Sequence, residues 1–279
     1  MKWVRVTRKS PCPICGRPDW CGVSEDGASA VCMRVESPKP CKGKSGGWFH
    51  KLSEAVYVPP QKPKQKPVAQ KDFAPLAEKC RCALLDTPNG LQELSRELGL
   101  SVESLERLKA GWSAGGYTFP MMNGGRQVIG IRVRGTKKKW CIPGSHNGLF
   151  WPAGVETRAK ALLLLPEGPT SCAACLDLGY DAIGRPNCQL GLSDLQAILR
   201  QSRRDVVIVA DHDEAKKRPD GGVYYPGQDG ARAIAGGIKP LCKTLKIVQM
   251  PFHKDPRDFL RAGGTREAFD CLIRAARFV

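Results

Sequence analysis

The sequence predicts an α/β protein in which a mostly parallel sheet with flanking helices follows a smaller α+β region and a cysteine-rich head. Three observations lead to this prediction. Short apolar runs alternate with helical patterns from residue 156 to residue 279, which is typical of strands joined by crossover helices. Five of the thirteen cysteines fall within the first 41 residues. A stretch rich in proline and lysine then separates these cysteines from the rest of the chain.

The charge distribution favours a polyanionic partner. The 279 residues include 44 Lys and Arg against 27 Asp and Glu, a formal net charge of +17. Residues 1–71 carry +9 of this excess, and residues 72–155 and 156–279 carry +4 each. Because each neutralised phosphate releases condensed counterions, an excess of this size indicates binding to nucleic acid.

The sequence also predicts a compartment. No apolar run approaches the ~18 residues of a membrane-spanning helix, and the N-terminus lacks the apolar stretch of a secretion signal. We therefore expect a cytoplasmic protein with no membrane partner. Because the cytosol is reducing, the cysteines should not form a disulfide framework. Metal binding, catalysis or core packing must account for them instead.

The head, residues 1–54, has the pattern of a zinc-binding ribbon. Cys12 and Cys15 form a Cys-x-x-Cys turn that directs two thiolates at one ion, and Cys32 lies where the second turn of such a ribbon belongs. Because a segment this short cannot build an independent core, a bound metal would supply much of its folding energy. Thiolate ligands favour zinc over hard cations. The fourth ligand is Cys21, which we prefer, or alternatively Cys41 or His50.

The segment after the head divides into a linker and a small α+β region. Residues 55–71 hold four prolines, four lysines and no acid, which predicts an extended linker. In residues 72–155, helical spacing covers Leu91–Leu98 and Ser101–Leu108, with Ser101 as N-cap. Strands over Tyr117–Met121 and Gln127–Arg134 follow, joined by an Asn-Gly-Gly turn.

Residues 156–279 alternate between strand and helix patterns. We predict strands at Ala161–Leu165, Asp181–Gly184, Asp205–Ala210 and Thr244–Met250. The predicted helices are Thr170–Leu178, Leu192–Leu199, Asp229–Ile238, Pro256–Leu260 and Arg266–Arg277. Right-handed crossovers of this length make the strands parallel and cover both faces of the sheet. The remaining cysteines, including Cys172 and Cys175 within a helical pattern, read as structural core residues.

Carboxylates follow each central strand of this predicted sheet. Glu167 comes after the first strand, Asp211 and Asp213 after the third, and Asp255 and Asp258 after the last. Parallel strands deliver their carboxyl ends to one rim, so these acids should converge there. Carboxylates that lie close together repel and are tolerated mainly where a divalent cation neutralises them.

Several of these motifs resemble the Toprim domain of bacterial-type primases, topoisomerases and some nucleases. The resemblance lies in the sequences LLPEGPT at 164–170, ADHD at 210–213 and GQDGA at 227–231. Within that group the chain most resembles phage- and plasmid-type primases. The segments YTFPM at 117–121, RQVIGIRVR at 126–134, KKKW at 137–140 and GLF at 148–150 are similar to the N-terminal part of the primase catalytic core. The order of zinc ribbon, linker and core is also that of those primases.

The resemblance implies a DNA-dependent primase that makes short RNA primers on single-stranded DNA from NTPs. It implies a domain order of zinc ribbon at 1–54, linker at 55–71, N-terminal part of the catalytic core at 72–155 and Toprim domain at 156–279. Glu167 would bind metal or act as general acid/base, Asp211 and Asp213 would hold Mg²⁺ or Mn²⁺, and Asp255 and Asp258 would complete the acidic cluster. The residues that would face template or nucleotide are Arg132, Arg134, Lys137, Lys138 and Lys139.

The chain departs from the family pattern in two places. Ser171 stands where cellular primases have an aspartate, which weakens a second metal site. Thirteen residues, 214–226, separate Asp213 from Gly227, which is longer than expected. This insertion is either a flap over the site or a surface loop, and we favour the loop.

Two other classes of function remain open. The acidic cluster would also serve a Toprim-type nuclease. Alternatively, the chain would be a non-catalytic zinc-ribbon protein that binds DNA through a helix-turn-helix at Leu91–Leu108, although the acids of its second helix suit a groove poorly. The sequence contains no GxxxxGK[ST] phosphate loop, so a replicative helicase partner would be a separate protein.

Overall fold

The computed structural model divides the chain into two units, residues 1–68 and 69–279. It describes residues 3–41, 46–52, 71–113, 115–156, 161–201, 203–217 and 221–279. Apart from residue 71, the predicted linker lies outside the described residues. No helix in these ranges is long and apolar enough to cross a bilayer.

The first unit is a four-stranded antiparallel sheet. Its strands, paired in chain order, are β1 (Trp3–Arg5), β2 (Gly22–Ser24), β3 (Ser29–Cys32) and β4 (Trp48–Lys51). In the described residues, its buried apolar cluster consists of Val6, Cys12, Cys21 and Cys32. So small a core supplies little hydrophobic stabilisation. The stability of this unit therefore depends on its cysteines.

The second unit begins with three helices and an antiparallel sheet. The helices are α1 (Ala74–Leu85), α2 (Gly90–Leu98) and α3 (Val102–Arg107). The strands, also paired in chain order, are β5 (Gly111–Ser113), β6 (Gly116–Met122), β7 (Val128–Arg134) and β8 (Lys139–Cys141). As predicted, Ser101 caps α3, and its Oγ accepts the backbone N–H of Ser104 at 3.1 Å. Leu105 of α3 is fully buried, so this helix packs in the core.

The predicted α/β layer follows. Its first elements are β9 (Leu163–Leu165), α4 (Gly168–Asp177), β10 (Asp181–Ala182), α5 (Leu192–Leu199) and β11 (Asp205–Ala210). The later ones are β12 (Lys216–Lys217), β13 (Val223–Tyr224), α6 (Pro226–Ile238), β14 (Thr244–Gln249), α7 (Pro256–Arg261) and α8 (Arg266–Ala275). The order β10-β9-β11-β14 is parallel throughout, which confirms the predicted fold class. The insertion contributes β12 and β13, a short antiparallel hairpin.

The strand order creates a crevice at one point of the sheet. β10 and β11 follow β9 in sequence but pair on opposite sides of it. The crossovers before and after this point run in opposite directions, and ligands of open α/β sheets bind beyond the carboxyl ends of such strands. The carboxyl ends of β9 and β11 therefore form the natural binding edge of this unit.

Several boundaries differ from the sequence prediction for local reasons. α6 begins at Pro226 rather than at Asp229, because proline suits the first turn of a helix, where its missing N–H is not needed. α4 begins at Gly168, immediately after Glu167. α1 was not predicted, and only Cys80 and Leu84 of this helix are buried, so its apolar periodicity is weak.

The prediction that all eight remaining cysteines are core residues is wrong for two of them. Cys172 and Cys175 are fully buried on α4, as expected. Cys82 and Cys271, in contrast, are exposed. Each occupies the outer face of a helix that buries few residues, α1 and α8 respectively.

Two glycines of α6 provide a matched test of its packing. A Cβ on Gly230 would lie 2.4 Å from the carbonyl oxygen of Cys188, whereas a Cβ on Gly236 would meet nothing within 4 Å. We expect Gly230→Ala to lower the free energy of unfolding by about 1–3 kcal/mol through overpacking. Gly236→Ala should raise it by about 0.5–1 kcal/mol, because alanine restricts the unfolded chain. Urea-induced unfolding measures both, and equal shifts in the two variants would contradict this packing.

Candidate functional site

Four cysteines of the first unit converge on one point. The Sγ atoms of Cys12, Cys15, Cys21 and Cys32 all lie within 4.8 Å of one another. In the described residues this is the only group of three or more potential metal ligands with that spacing. Backbone N–H groups point at the sulfurs, and Met33 and Val35 donate to Cys21 and Cys32 at 3.4 and 3.3 Å. Such donors stabilise thiolates, the form that binds metal.

The same geometry separates the preferred fourth ligand from its alternatives. Cys21 belongs to the cluster, whereas Cys41 and His50 lie outside it. His50 Nε2 lies 3.0 Å from the carbonyl oxygen of Val35. A hydrogen bond from the Arg17 backbone lowers the pKa of Cys15 to about 6. Four clustered sulfurs suit a soft tetrahedral ion such as zinc.

A pocket of about 470 Å³ opens at the carboxyl edge of the parallel sheet. Carboxylates form one part of its wall, and they come from the ends of three strands: Glu167 after β9, Asp211 and Asp213 after β11, and Asp255 after β14. Cations form another part: Arg132 and Arg134 from β7, Lys139 from β8, and Lys254 and Arg257 near the start of α7. Ser171, the departure from the family pattern, also lines the pocket.

The pKa values of two of these carboxylates, Glu167 and Asp211, are raised. Burial, with repulsion from Glu167 and Asp255, raises the pKa of Asp211 to about 8. Burial also raises the pKa of Glu167, although Arg185 opposes the shift. Without further positive charge, Asp211 would therefore hold its proton at neutral pH. A divalent cation supplies such charge and is bound by oxygen ligands of this kind.

Asp213 is held by the start of α6. The backbone N–H of Gly227 donates to Asp213 Oδ2 at 2.9 Å, and the Gln228 amide lies 3.5 Å from the Asp213 carbonyl oxygen. A Cβ on Gly227 would lie 2.7 Å from the carbonyl oxygen of Asp211. Only glycine allows α6 to approach this closely. The helix start thus holds the second aspartate at the pocket.

Three buried polar atoms of lining residues have no hydrogen-bond partner in the described part of the chain. They are Asp211 Oδ1, Arg132 Nε and Arg257 Nε. Buried polar atoms are normally satisfied, so an orphaned atom calls for an unseen partner. An acceptor and two donors without partners match a cation and an anion bound together.

The carboxylates do not form a closed cage. No three of them bring ligand atoms within 4.8 Å of one another, as the cysteines do. Magnesium usually retains several waters and uses only one or two protein carboxylates together with phosphate oxygens. An open set is therefore the arrangement expected for Mg²⁺ shared with a phosphorylated substrate.

Three predicted site residues are not brought to the pocket. Asp258 is exposed, and its Oδ2 accepts the backbone N–H of Lys254 at 3.2 Å. Lys137 and Lys138 are exposed as well. The ammonium group of Lys138 lies over the ring of Trp140, 5.7 Å from its centroid.

Sequence reasoning missed a central residue, Arg185. It is fully buried and donates to the carbonyl oxygens of Leu165, Cys188 and Val209, each at 3.2 Å. Its charge acts on both Glu167 and Asp211. One signal was available, because Arg185 closely follows the short apolar run of β10 and therefore falls at the same rim as the acids.

Comparison with known proteins gives matches in structure alone. No protein-family model and no curated protein matches the chain. The E. coli primase catalytic core is 18% identical, with 73% of this chain and 79% of that chain covered and a TM-score of 0.55. A DnaG primase catalytic domain bound to single-stranded DNA is 18% identical, with 73% and 77% covered and a TM-score of 0.55.

A third structure combines a zinc-binding domain with a catalytic one. The zinc-binding and RNA polymerase domains of Aquifex aeolicus primase are 13% identical to this chain, with a TM-score of 0.59. The match covers 75% of this chain and 60% of that one. At these identities the similarity establishes the fold, which is the α/β fold of primase catalytic cores.

The cysteine cluster can be tested by metal analysis. We expect about one zinc per chain, since four thiolates make a tetrahedral site. Cys21→Ser should lose the metal, and Cys41→Ser, the matched control outside the cluster, should retain it. Mass spectrometry of the purified full chain measures the ratio. An undiminished zinc content in Cys21→Ser would refute this ligand set.

The raised pKa of Asp211 predicts a pH dependence of stability. In the metal-free protein Asp211 keeps its proton up to about pH 8, whereas an unfolded aspartate loses it near pH ~4. Between these values the unfolded chain binds fewer protons, so the free energy of unfolding should fall as pH rises. In Asp211→Asn most of this fall should disappear, which makes the variant the more stable protein at about pH 8.

Urea unfolding in the presence of a chelator measures this difference, which should shrink toward about pH 4. Adding Mg²⁺ at about pH 8 should stabilise the wild type more than the variant. A difference between the two proteins that does not change with pH would contradict the assignment.

Proposed function

We propose that this chain is a DNA-dependent primase that synthesises short RNA primers on single-stranded DNA. The carrying observation is the pocket that places four carboxylates and five cations together at the crevice between β9 and β11. A polymerising site needs both groups of residues. Carboxylates hold divalent metal, and cations bind the triphosphate and the nucleic acid backbone. The fold shared with primase catalytic cores supports the same proposal.

The acidic side of the pocket would hold the catalytic metal. Asp211 and Asp213 are the proposed Mg²⁺ or Mn²⁺ ligands, and Asp211 Oδ1 is buried without a partner. A metal held by these aspartates would supply charge that neutralises the triphosphate and lowers the pKa of the attacking 3′-hydroxyl. Glu167, whose pKa is raised by burial, is suited to hold or release a proton beside these aspartates. Asp255 adds a carboxylate from the next strand.

The basic side would bind phosphates. Arg132 and Arg134 lie two residues apart on β7, and both line the pocket. Partial desolvation and the neighbouring charge of Arg134 lower the pKa of Lys139. A polyanion relieves such repulsion between cations, so binding of a triphosphate is favoured by the whole wall. Lys137 and Lys138 lie outside the lining and are proposed to contact the template further along.

The sequence motifs and the cysteine-rich head support further assignments: the zinc site, the domain boundaries, the branch of primases and the partners. The four-cysteine cluster would hold zinc and stabilise the first unit, with the domain boundaries predicted from the sequence. From its motifs we assign the chain to the phage- or plasmid-type branch of primases. The proposed partner is a separate replicative helicase, and the proposed compartment is the cytoplasm. Single-stranded DNA and NTPs are the proposed ligands.

The proposal is tested by primer synthesis. The full chain is incubated with single-stranded DNA, labelled NTPs and Mg²⁺ or Mn²⁺. Wild type should produce oligoribonucleotides, and Asp211→Ala combined with Asp213→Ala should reduce synthesis by at least about 100-fold, because the metal loses its ligands. Asp86→Ala, which changes an exposed aspartate at the end of α1, is the matched control and should leave synthesis unchanged.

Other outcomes of the same assay point to other functions. Synthesis that survives the double substitution would refute the site assignment. Cleavage of the template without synthesis would indicate a Toprim-type nuclease. Tight DNA binding with neither activity would indicate a non-catalytic DNA-binding protein.

A further inference from the structure

A second groove adjoins the pocket. It has a volume of about 580 Å³ and lies between residues 212–216 and the loop Pro251–Lys254. Asp213 and Lys254 line both the groove and the pocket, so the two spaces are neighbours. A volume in this range accommodates a small organic ligand such as a nucleoside. Apart from Asp213 and Lys254, no described residue that lines the pocket lines this groove.

An aromatic ring stands unsupported on one side of the groove. Phe252 is 92% exposed, and in the described residues its ring has no aromatic or cationic neighbour. The residues around it are anchored, however. The backbone N–H of His212 donates to the carbonyl oxygen of Lys254 at 2.8 Å, and His212 Nδ1 lies 2.8 Å from that of Met250. His253 packs edge-on against Phe259 at 5.6 Å. The loop is therefore anchored on both sides of Phe252, whose ring is unpaired in the described residues.

The charge of the groove differs from that of the pocket. Its lining includes two lysines, Lys216 and Lys254, and two acids, Asp213 and Glu214, so the formal charges cancel. The pocket, in contrast, has five cations against four carboxylates, and divalent metal bound to these carboxylates would add further positive charge. Phosphates are accordingly favoured in the pocket, and the uncharged part of a nucleotide is favoured in the groove.

We propose that this groove is a nucleobase subsite in which Phe252 is the stacking platform. The inference rests on the proposed function and names where the base lies when the phosphates of the same nucleotide occupy the pocket. Every nucleobase has an aromatic face, and stacking on an aromatic side chain binds bases with little regard to sequence. The described start of the insertion, Glu214 and Lys216, lines the same groove as Phe252. The insertion thus has a role in binding in addition to its place at the surface.

The experiment measures binding rather than synthesis. Isothermal titration of the full chain in Mg²⁺ uses four probes: ATP, tripolyphosphate, a single-stranded dA₁₂ oligonucleotide and an abasic strand of the same length. Phe252→Ala should weaken binding of a base-bearing probe by about fivefold to 100-fold and leave tripolyphosphate and the abasic strand unchanged. Phe252→Trp should restore binding. Phe278→Ala, which removes another exposed ring (68%) outside the groove, is the matched control and should bind as wild type.

The probes also distinguish the source of the base. A loss confined to ATP assigns the subsite to the incoming nucleotide, and a loss confined to dA₁₂ assigns it to a strand. Equal affinities of Phe252→Ala and wild type for both ATP and dA₁₂ would overturn the inference, and so would an equal loss for tripolyphosphate. If wild type makes primers while Phe252→Ala binds normally, only the subsite fails. If wild type binds none of the probes, the proposed function fails with it.

Discussion

The geometry of the pocket depends on one buried guanidinium. Arg185 connects the carboxyl ends of β9 and β11 through the carbonyl oxygens of Leu165 and Val209, where the two strands deliver Glu167 and Asp211. Its own backbone continues the alignment, since its N–H donates to Pro166 and its carbonyl oxygen accepts from Gly168, both at 2.8 Å. Burying a charge is costly unless hydrogen bonds and opposite charges compensate it. Here the carbonyl oxygens and the acids do so together.

A second buried arginine shows why Arg185 bears on function. Arg204 binds the opposite edge of the same sheet, where it donates to Ala161 and pairs with Asp181 at 3.0 Å. In that ion pair the charge of Asp181 neutralises the charge of Arg204. Arg185 has no carboxylate within ion-pair distance in the described residues, so its field extends to the pocket and limits the repulsion among the acids. Each end of the sheet thus contains a buried arginine. Arg204 stabilises one end through its ion pair, and Arg185 at the other end provides a fixed positive charge near the acids of the pocket.

Part of the site could be predicted from the sequence because the carboxyl ends of parallel strands lie at the same edge of a sheet. Buried apolar runs predicted β9, β11 and β14, and the acids that follow them had to emerge at one rim. The resemblance to primases implied Arg132 and Arg134, and both line the pocket, since residues two apart in a strand share a face. Lys254 and Arg257 were not predicted as site residues. Their side chains reach the pocket from the segment around the start of α7, and apolar periodicity does not predict the course of such a segment. Asp258, predicted beside Asp255, is exposed because the turn into α7 directs it to the backbone of Lys254.

The fold class, the strand ends that carry acids and the cysteine-rich head were all predicted from the sequence. These follow from local rules, namely apolar periodicity and the spacing of ligands along the chain. Tertiary structure alone decided that Cys21 rather than Cys41 or His50 joins the cysteine cluster, that Arg185 lies beneath the acids, and that Phe252 stands beside the pocket. Each of these depends on distances between segments far apart in sequence, and such distances are set by how the elements pack.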